Sequence, residues 1–89
     1  MEFKQLEMLV AAAEERNLVR AAERVLRTQP AVSMALARLE EELGSLLFHR
    51  IRGRGLELTP VGEALCQYAR KLLALRDEAH AVVSRSVTS

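Results

Sequence analysis

The stretch from Asn17 to Gly44 constrains the fold most, because it encodes two helices and leaves only a few residues to turn between them. Leu18, Ala21, Ala22 and Val25 recur at helical spacing, with Arg20, Arg24 and Arg27 on the other side. Asn17 stops the preceding segment and N-caps the next one, since its side chain can accept from an orphan amide. A further helix begins near Thr28 to Pro30. Proline in a first turn costs no hydrogen bond. The residue before a proline is biased away from helical geometry, which puts Gln29 at or just before the cap. Val32, Leu36, Leu39 and Leu43 then form a buried stripe, and Gly44 ends the helix as a left-handed cap.

At roughly 100° per residue, the face opposite that stripe presents Pro30, Ser33, Met34, Ala37, Arg38 and Glu41, with Gln29 at its margin. Ser33 and Ala37 are small enough to let the helix backbone come close to a partner surface. From Arg16 to Arg38 the chain carries five arginines and one glutamate, after which Glu40-Glu41-Glu42 stand together. A helix N-terminus offers free amides and a partial positive charge to phosphate, whereas an acidic triplet repels it. The N-terminal half of this helix is therefore expected to enter a groove, the way recognition helices dock. The pattern reads as a DNA-binding helix-turn-helix.

The flanking segments support that unit. Phe3, Leu6, Leu9, Val10 and Ala13 predict a first helix from Phe3 to about Glu15, with Lys4, Glu7, Glu14 and Glu15 on its outer side. After Gly44, Leu46 to Arg50 and Leu56 to Leu58 read as two short strands joined by a hairpin tip at Ile51-Arg52-Gly53-Arg54-Gly55. Arginines alternating with glycines at such a tip suit a minor groove; the alternative is a solvated surface turn. Thr59-Pro60 restarts a helix that meets no breaker before about Ser86, roughly 40 Å at 1.5 Å per residue. Along it Val61, Leu65, Tyr68, Leu72, Leu75, Ala79 and Val82 alternate by four and three, a heptad seam. Ala64, Cys66, Ala69 and Leu73 widen its first half, which is expected to pack on the first helix. A two-fold partner helix would cover the narrower remainder; a larger neighbouring domain is the alternative.

Composition narrows the function classes. Eighty-nine residues allow one modest core, and a net charge of +1 carries less information than its local distribution. The single cysteine, Cys66, cannot form an internal disulfide, which fits a reducing cytosol and a buried apolar role. No apolar run or leader pattern suggests a membrane or secretion. Phe3, Phe48 and Tyr68 are too few for a base-stacking platform, which argues against single-strand recognition. His49, His80 and Cys66 are the only candidates for nucleophilic or metal chemistry; they make no ligand spacing and no catalytic set, so neither an enzyme nor a cofactor or metal is expected. A purely dimerising helical module is the remaining rival, and its interactions would show no saturable duplex binding.

Several runs together carry a family resemblance: Met1 to Leu6, Arg20 to Val25, Thr28-Gln29-Pro30-Ala31-Val32-Ser33, Leu39 to Gly44, Leu47-Phe48-His49-Arg50, and Leu58-Thr59-Pro60-Val61-Gly62. In that order and spacing the chain resembles the N-terminal DNA-binding domain and linker helix of LysR-type transcriptional regulators. The resemblance implies a mostly α winged helix-turn-helix, with three helices and a short β-hairpin wing over residues 1–58. A long dimerisation linker helix over 59–89 would come next. It implies a cytoplasmic homodimer at the bacterial nucleoid that binds partly palindromic double-stranded promoter DNA, often as a tetramer when full-length. A C-terminal effector-binding domain, which would take the small-molecule inducer, is expected to be absent from a chain that stops at Ser89.

By position, Gln29, Pro30 and Ser33 match family residues at base edges or the groove floor, and Thr28 matches a backbone contact at the helix start. Met34 departs from the polar or basic residue common there; it cannot read guanine bidentately but can touch a thymine methyl. Ala37 completes the expected base-reading surface. Arg20, Arg38 and the wing arginines Arg50, Arg52 and Arg54 are expected on the DNA backbone or in the wing contact. The hairpin from Phe48 to Thr59 is about one residue longer than the family pattern, which leaves open whether Arg52 or Arg54 enters the groove.

Overall fold

The computed structural model describes residues 1–53 and 55–88. Three helices come first: α1 (Phe3–Glu15), α2 (Leu18–Val25) and α3 (Gln29–Leu43). A hairpin of β1 (Phe48–Ile51) and β2 (Gly55–Leu58) comes next, and α4 (Pro60–Thr88) completes a winged helix-turn-helix with a long C-terminal helix.

Helix α1 is the hub, packed against α2, α3 and α4 at once. That surrounds it with protein, so Leu6, Met8, Leu9, Val10, Ala11 and Ala12 are all buried. The expected apolar stripe is thus too narrow, and it errs at two of its members. Ala13 is only half-buried, and Phe3 is half-exposed, with the Arg76 guanidinium 5.5 Å from its ring centroid. The largest fully buried side chains, Leu9, Leu39, Leu47, Val32 and Cys66, come from α1, α3, α4 and the α3–β1 connection. Each fully buried leucine contributes about 2 kcal/mol relative to exposure.

Helix boundaries obey local chemistry. Arg16 adopts a left-handed conformation (φ 55°) and ends α1, and the Asn17 side chain then caps α2 by accepting from the Arg20 amide at 3.0 Å. Leu26, also left-handed (φ 59°), ends α2 after Val25. The amide of Arg27 donates back to the Ala22 carbonyl, closing a three-residue turn into α3. Thr28 is the N-cap of α3: its hydroxyl accepts from the Ala31 amide at 3.3 Å. Gln29 is therefore the first helical residue rather than the cap, because the hydroxyl of Thr28 is the better acceptor for the open amides. Of the expected stripe on α3, Val32, Leu36 and Leu39 are buried, while Leu43 lies half-exposed beside the left-handed Gly44.

The strands pair antiparallel, with Phe48 opposite Leu58, Arg50 opposite Leu56 and Ile51 opposite Gly55. They sit two residues later than expected on the first side: Leu46 and Leu47 form the connection, and Ile51 and Gly55 belong to the ladder. The cause is Leu47, whose side chain is fully buried and whose backbone is occupied elsewhere. Arg54, expected at the tip, lies outside the described residues. On the open edge of β2, the Leu56 amide donates to the Arg16 carbonyl at 3.1 Å. Gly55 (φ +76°) passes so close that an added Cβ would stand 2.2 Å from that same carbonyl oxygen.

Thr59 joins the wing to α4. Its hydroxyl donates to the Leu46 carbonyl (2.6 Å) and accepts from the Gly62 amide (3.0 Å), while its own amide donates to the Leu47 carbonyl (2.9 Å). Beyond this clasp Cys66 and Ala69 are buried, and Leu65 and Leu73 pack against the core. Burial pushes the Cys66 thiol up, which keeps it neutral. Ala64, expected to widen the packed stripe, is exposed. Leu65, expected in the seam, instead faces the chain's own core.

Candidate nucleic-acid interface

The N-terminal half of α3 and the wing border common grooves. Gln29 lines one together with Asn17, Leu18, Val19, Arg50 and Arg52. Ser33 and Ala37, one turn apart, line the next with Leu46, Phe48 and Arg50. Arg50 thus borders both, on β1 between the helix and the hairpin tip. Pro30, Met34, Ala37 and Arg38 are exposed on α3, and Ser33 is half-buried. Met34, at 55% exposure, offers an apolar tip to any partner. Arg20 lines a third groove with Asn17, Arg16, Gly55 and Glu57, on the α2 side of the same helix pair. Residue spacing marks Asn17 only as a cap, and it gives no signal for Val19, an exposed apolar residue next to Arg20.

Ion pairing sorts the arginines. Arg24 is held by Glu14 (2.7 Å) and Glu15 (3.3 Å), Arg70 by Glu14 (3.1 Å), Arg16 by Glu57 (3.2 Å), and Arg76 by Glu7 and Asp77. The Arg24 hydrogen bond holds the Glu14 carboxyl below the usual carboxylate range, against a smaller opposing push from burial, and Arg70 adds to the lowering. A lowered carboxyl stabilises the fold above its unfolded pKa and ceases to as pH falls through its folded one. This tie of α1 to α2 and α4 is therefore fully present at neutral pH. Exposed pairs of this kind contribute little each; their consequence is which cations remain. Among the described residues, Arg20, Arg27, Arg38, Arg50 and Arg52 form no ion pair with a carboxylate. A net charge of +1 therefore conceals a basic surface around α2, α3 and the wing.

The acidic triplet is less uniform than its sequence. Glu40 accepts from the Leu47 amide, Glu42 from the Met1 amine at 2.8 Å, and Glu41 is exposed. Of the seam residues, Val61, Tyr68, Leu72, Leu75, Ala79 and Val82 are exposed along α4, with Lys71 Nζ 5.4 Å from the Tyr68 ring centroid. No helix among the described residues is long and apolar enough to cross a membrane. Among the described residues, no three or more histidine, cysteine or acidic side chains gather in a way that could hold a metal ion.

The family described as "Bacterial regulatory helix-turn-helix protein, lysR family" matches residues 3–63. The HTH-type transcriptional regulator BudR of Klebsiella aerogenes is 48% identical over 79 residues, covering 89% of this chain and 54% of BudR. The regulator TfdS of Cupriavidus pinatubonensis is 49% identical over 75 residues, covering 84% of this chain and 25% of TfdS. The chain thus spans about half the length of one relative and about a quarter of the other. Among solved structures, the BenM DNA-binding domain in complex with catB site 1 DNA superposes with a TM-score of 0.94 at 36% identity, over 100% of this chain and 99% of that one. The CbnR DNA-binding domain in its DNA complex gives 0.88 at 37% identity over the whole of both chains.

Proposed function

The chain belongs to the LysR family of bacterial helix-turn-helix regulators and is a DNA-binding domain of that type, and from this premise we propose that it binds specific double-stranded promoter sites as a homodimer. The observation that carries the reading is the shared border of α3 and the wing: Gln29 and Ser33 line grooves with Arg50, and Arg20, Arg38 and Arg52 carry no carboxylate partner among the described residues. Gln29, Pro30, Ser33, Met34 and Ala37 read or approach bases. Thr28, Arg20, Arg38, Arg50 and Arg52 hold the sugar-phosphate backbone or enter the adjacent groove. Phosphate contacts set register, and base contacts set specificity.

In this reading residues 1–58 form the DNA-binding unit. Helix α4 joins two copies through Val61, Tyr68, Leu72, Leu75, Ala79 and Val82. The regulator works in the bacterial cytoplasm and has no catalytic step of its own. Inducer sensing and assembly into tetramers would use a C-terminal effector domain.

Duplex titration at rising salt tests this function. Three or four arginine–phosphate contacts per protomer, six to eight per dimer, give a slope of log K against log salt of roughly −5 to −7. Absence of saturable duplex binding at every salt would leave only a helical interaction module. Within the same titration, Gln29→Ala is expected to lose about 1–3 kcal/mol on a cognate duplex and much less on a random one. Equal losses on both duplexes would remove Gln29 from the base readers.

A further inference from the structure

Glu40 lies in the acidic triplet at the back of α3, where its charge alone would only keep phosphate away. Its side chain is engaged in something more specific. The Glu40 Oε2 accepts from the Leu47 amide at 2.7 Å, and its carbonyl accepts from the Ser45 amide at 3.1 Å. Both acceptors of one residue thus hold the connection from the recognition helix to the wing. Leu47 itself is fully buried, and the next residue, Phe48, begins β1. From the opposite side, Thr59 grips the Leu46 and Leu47 carbonyls.

A two-stranded hairpin has little stability of its own, so its anchors decide where it stands. Its far edge is tied to the Arg16 carbonyl through Leu56, and its root is tied to α3 through Glu40. A buried amide that loses its acceptor must find another or move toward water. Leu47 cannot do so without moving the root of β1, and with it Arg50 three residues on. Glu40 and Arg50 already border the same groove.

We propose that Glu40 is a positioning residue for DNA binding: by holding the Leu47 amide it fixes the wing arginines Arg50 and Arg52 relative to Gln29 and Ser33 on its own helix. The proposal rests on the reading that the wing contacts DNA. It also inverts the sign expected from charge. Removing a negative side chain near DNA strengthens binding if repulsion is its role, and weakens binding if it places the wing.

The test is duplex binding across a salt series for the parent, Glu40→Ala, Glu40→Gln, Glu40→Asp, Arg50→Ala/Arg52→Ala and the combination of Glu40→Ala with the wing pair. All are compared where circular dichroism shows them folded. Glu40→Ala is expected to flatten the salt slope by roughly two to four for a dimer, as the wing pair does, since each lost phosphate contact removes about 0.9. Adding it to the wing pair should change little further. Glu40→Gln keeps an acceptor oxygen of the same reach and should retain the parent slope. Glu40→Asp keeps the charge but withdraws it by one methylene, and should lose slope; it carries the test if the alanine variant does not fold. Tighter or unchanged binding by the alanine and aspartate variants, with a weakened wing pair, overturns the positioning role alone. A wing pair that binds like the parent overturns the wing reading and the proposal with it.

Discussion

A Leu72→Glu chain is expected to sediment as a monomer and to bind a paired half-site about 10²–10⁴-fold more weakly than its parent, the range lost when a second linked contact disappears. The substitution is mild for the isolated fold. Leu72 is 38% exposed and is not among the residues packed on the core, whereas Leu65 and Leu73 on neighbouring faces are. In a monomer the new carboxylate would reach water. In a dimer it would sit on the seam among Tyr68, Leu75 and the partner's copies of those side chains. Burying an unpaired charge there costs more than the seam gains from one leucine. A folded monomer whose Tm no longer varies with protein concentration, where the parent's does, is therefore the expected signature. A Leu72→Glu chain that still sediments as a dimer would show that α4 joins copies by another face, or does not join them.

Gly62→Ala is the second large effect, and its sign is the informative part. Gly62 lies in the first turn of α4, where helix propensity alone favours alanine by about 1 kcal/mol. Its surroundings reverse that preference. A Cβ at this position would stand 2.1 Å from the Leu47 carbonyl oxygen and 2.9 Å from Leu58 Cδ2. The Leu47 oxygen already accepts from the Thr59 amide, and the Gly62 amide already donates to the Thr59 hydroxyl. Relieving the overlap requires α4 to lift away from the wing root and break these bonds. Overpacking together with the lost hydrogen bonds is expected to destabilise the fold by about 3 kcal/mol, and for a domain of this size that lowers Tm by on the order of 15 °C. Gly53 gives the comparison. An alanine there meets no atom within 4 Å, and only its left-handed φ of +79° resists it, at about 1–2 kcal/mol. Thermal melts of the two variants separate crowding from conformational strain, and a stabilised Gly62→Ala would contradict the close approach.

These effects also show where sequence reading reaches and where it stops. Local chemistry is legible. Asn17, Gly44 and Thr59-Pro60 mark helix ends through side-chain capping, a left-handed glycine and a proline at the helix start, and those ends lie where the residues point. The bias before Pro30, in contrast, put the cap of α3 at Gln29 or beyond, and the Thr28 hydroxyl takes that place. Apolar spacing found the inward faces of α2 and α3 because each buries one side. It under-read α1, which three helices surround, so that Met8 and Ala12 are buried along with the periodic Leu6.

Partner choice is not legible from spacing at all. Arg20, Arg24 and Arg27 look equivalent on one helix, yet Arg24 alone is taken up by Glu14 and Glu15 of α1. Glu40, Glu41 and Glu42 look like one block of repulsion, yet Glu40 is committed to an amide seven residues away. Both distinctions depend on how α1, α3 and the wing root come together, information that no single helical period contains. The same holds for Leu65, which fits the seam by period but turns to the chain's own core.

In the proposed reading a small, nearly uncharged patch at the start of α3 reads sequence, while arginines without a carboxylate partner among the described residues anchor it and a second copy doubles it. Selection of binding sites from random double-stranded DNA is the direct measurement of that division of labour. The expected result is a pair of enriched half-sites related by dyad symmetry, with centres one or a few helical turns of about 10.5 base pairs apart. Recovery of duplexes with no enriched positions, or of a lone half-site without a symmetric mate, would contradict it.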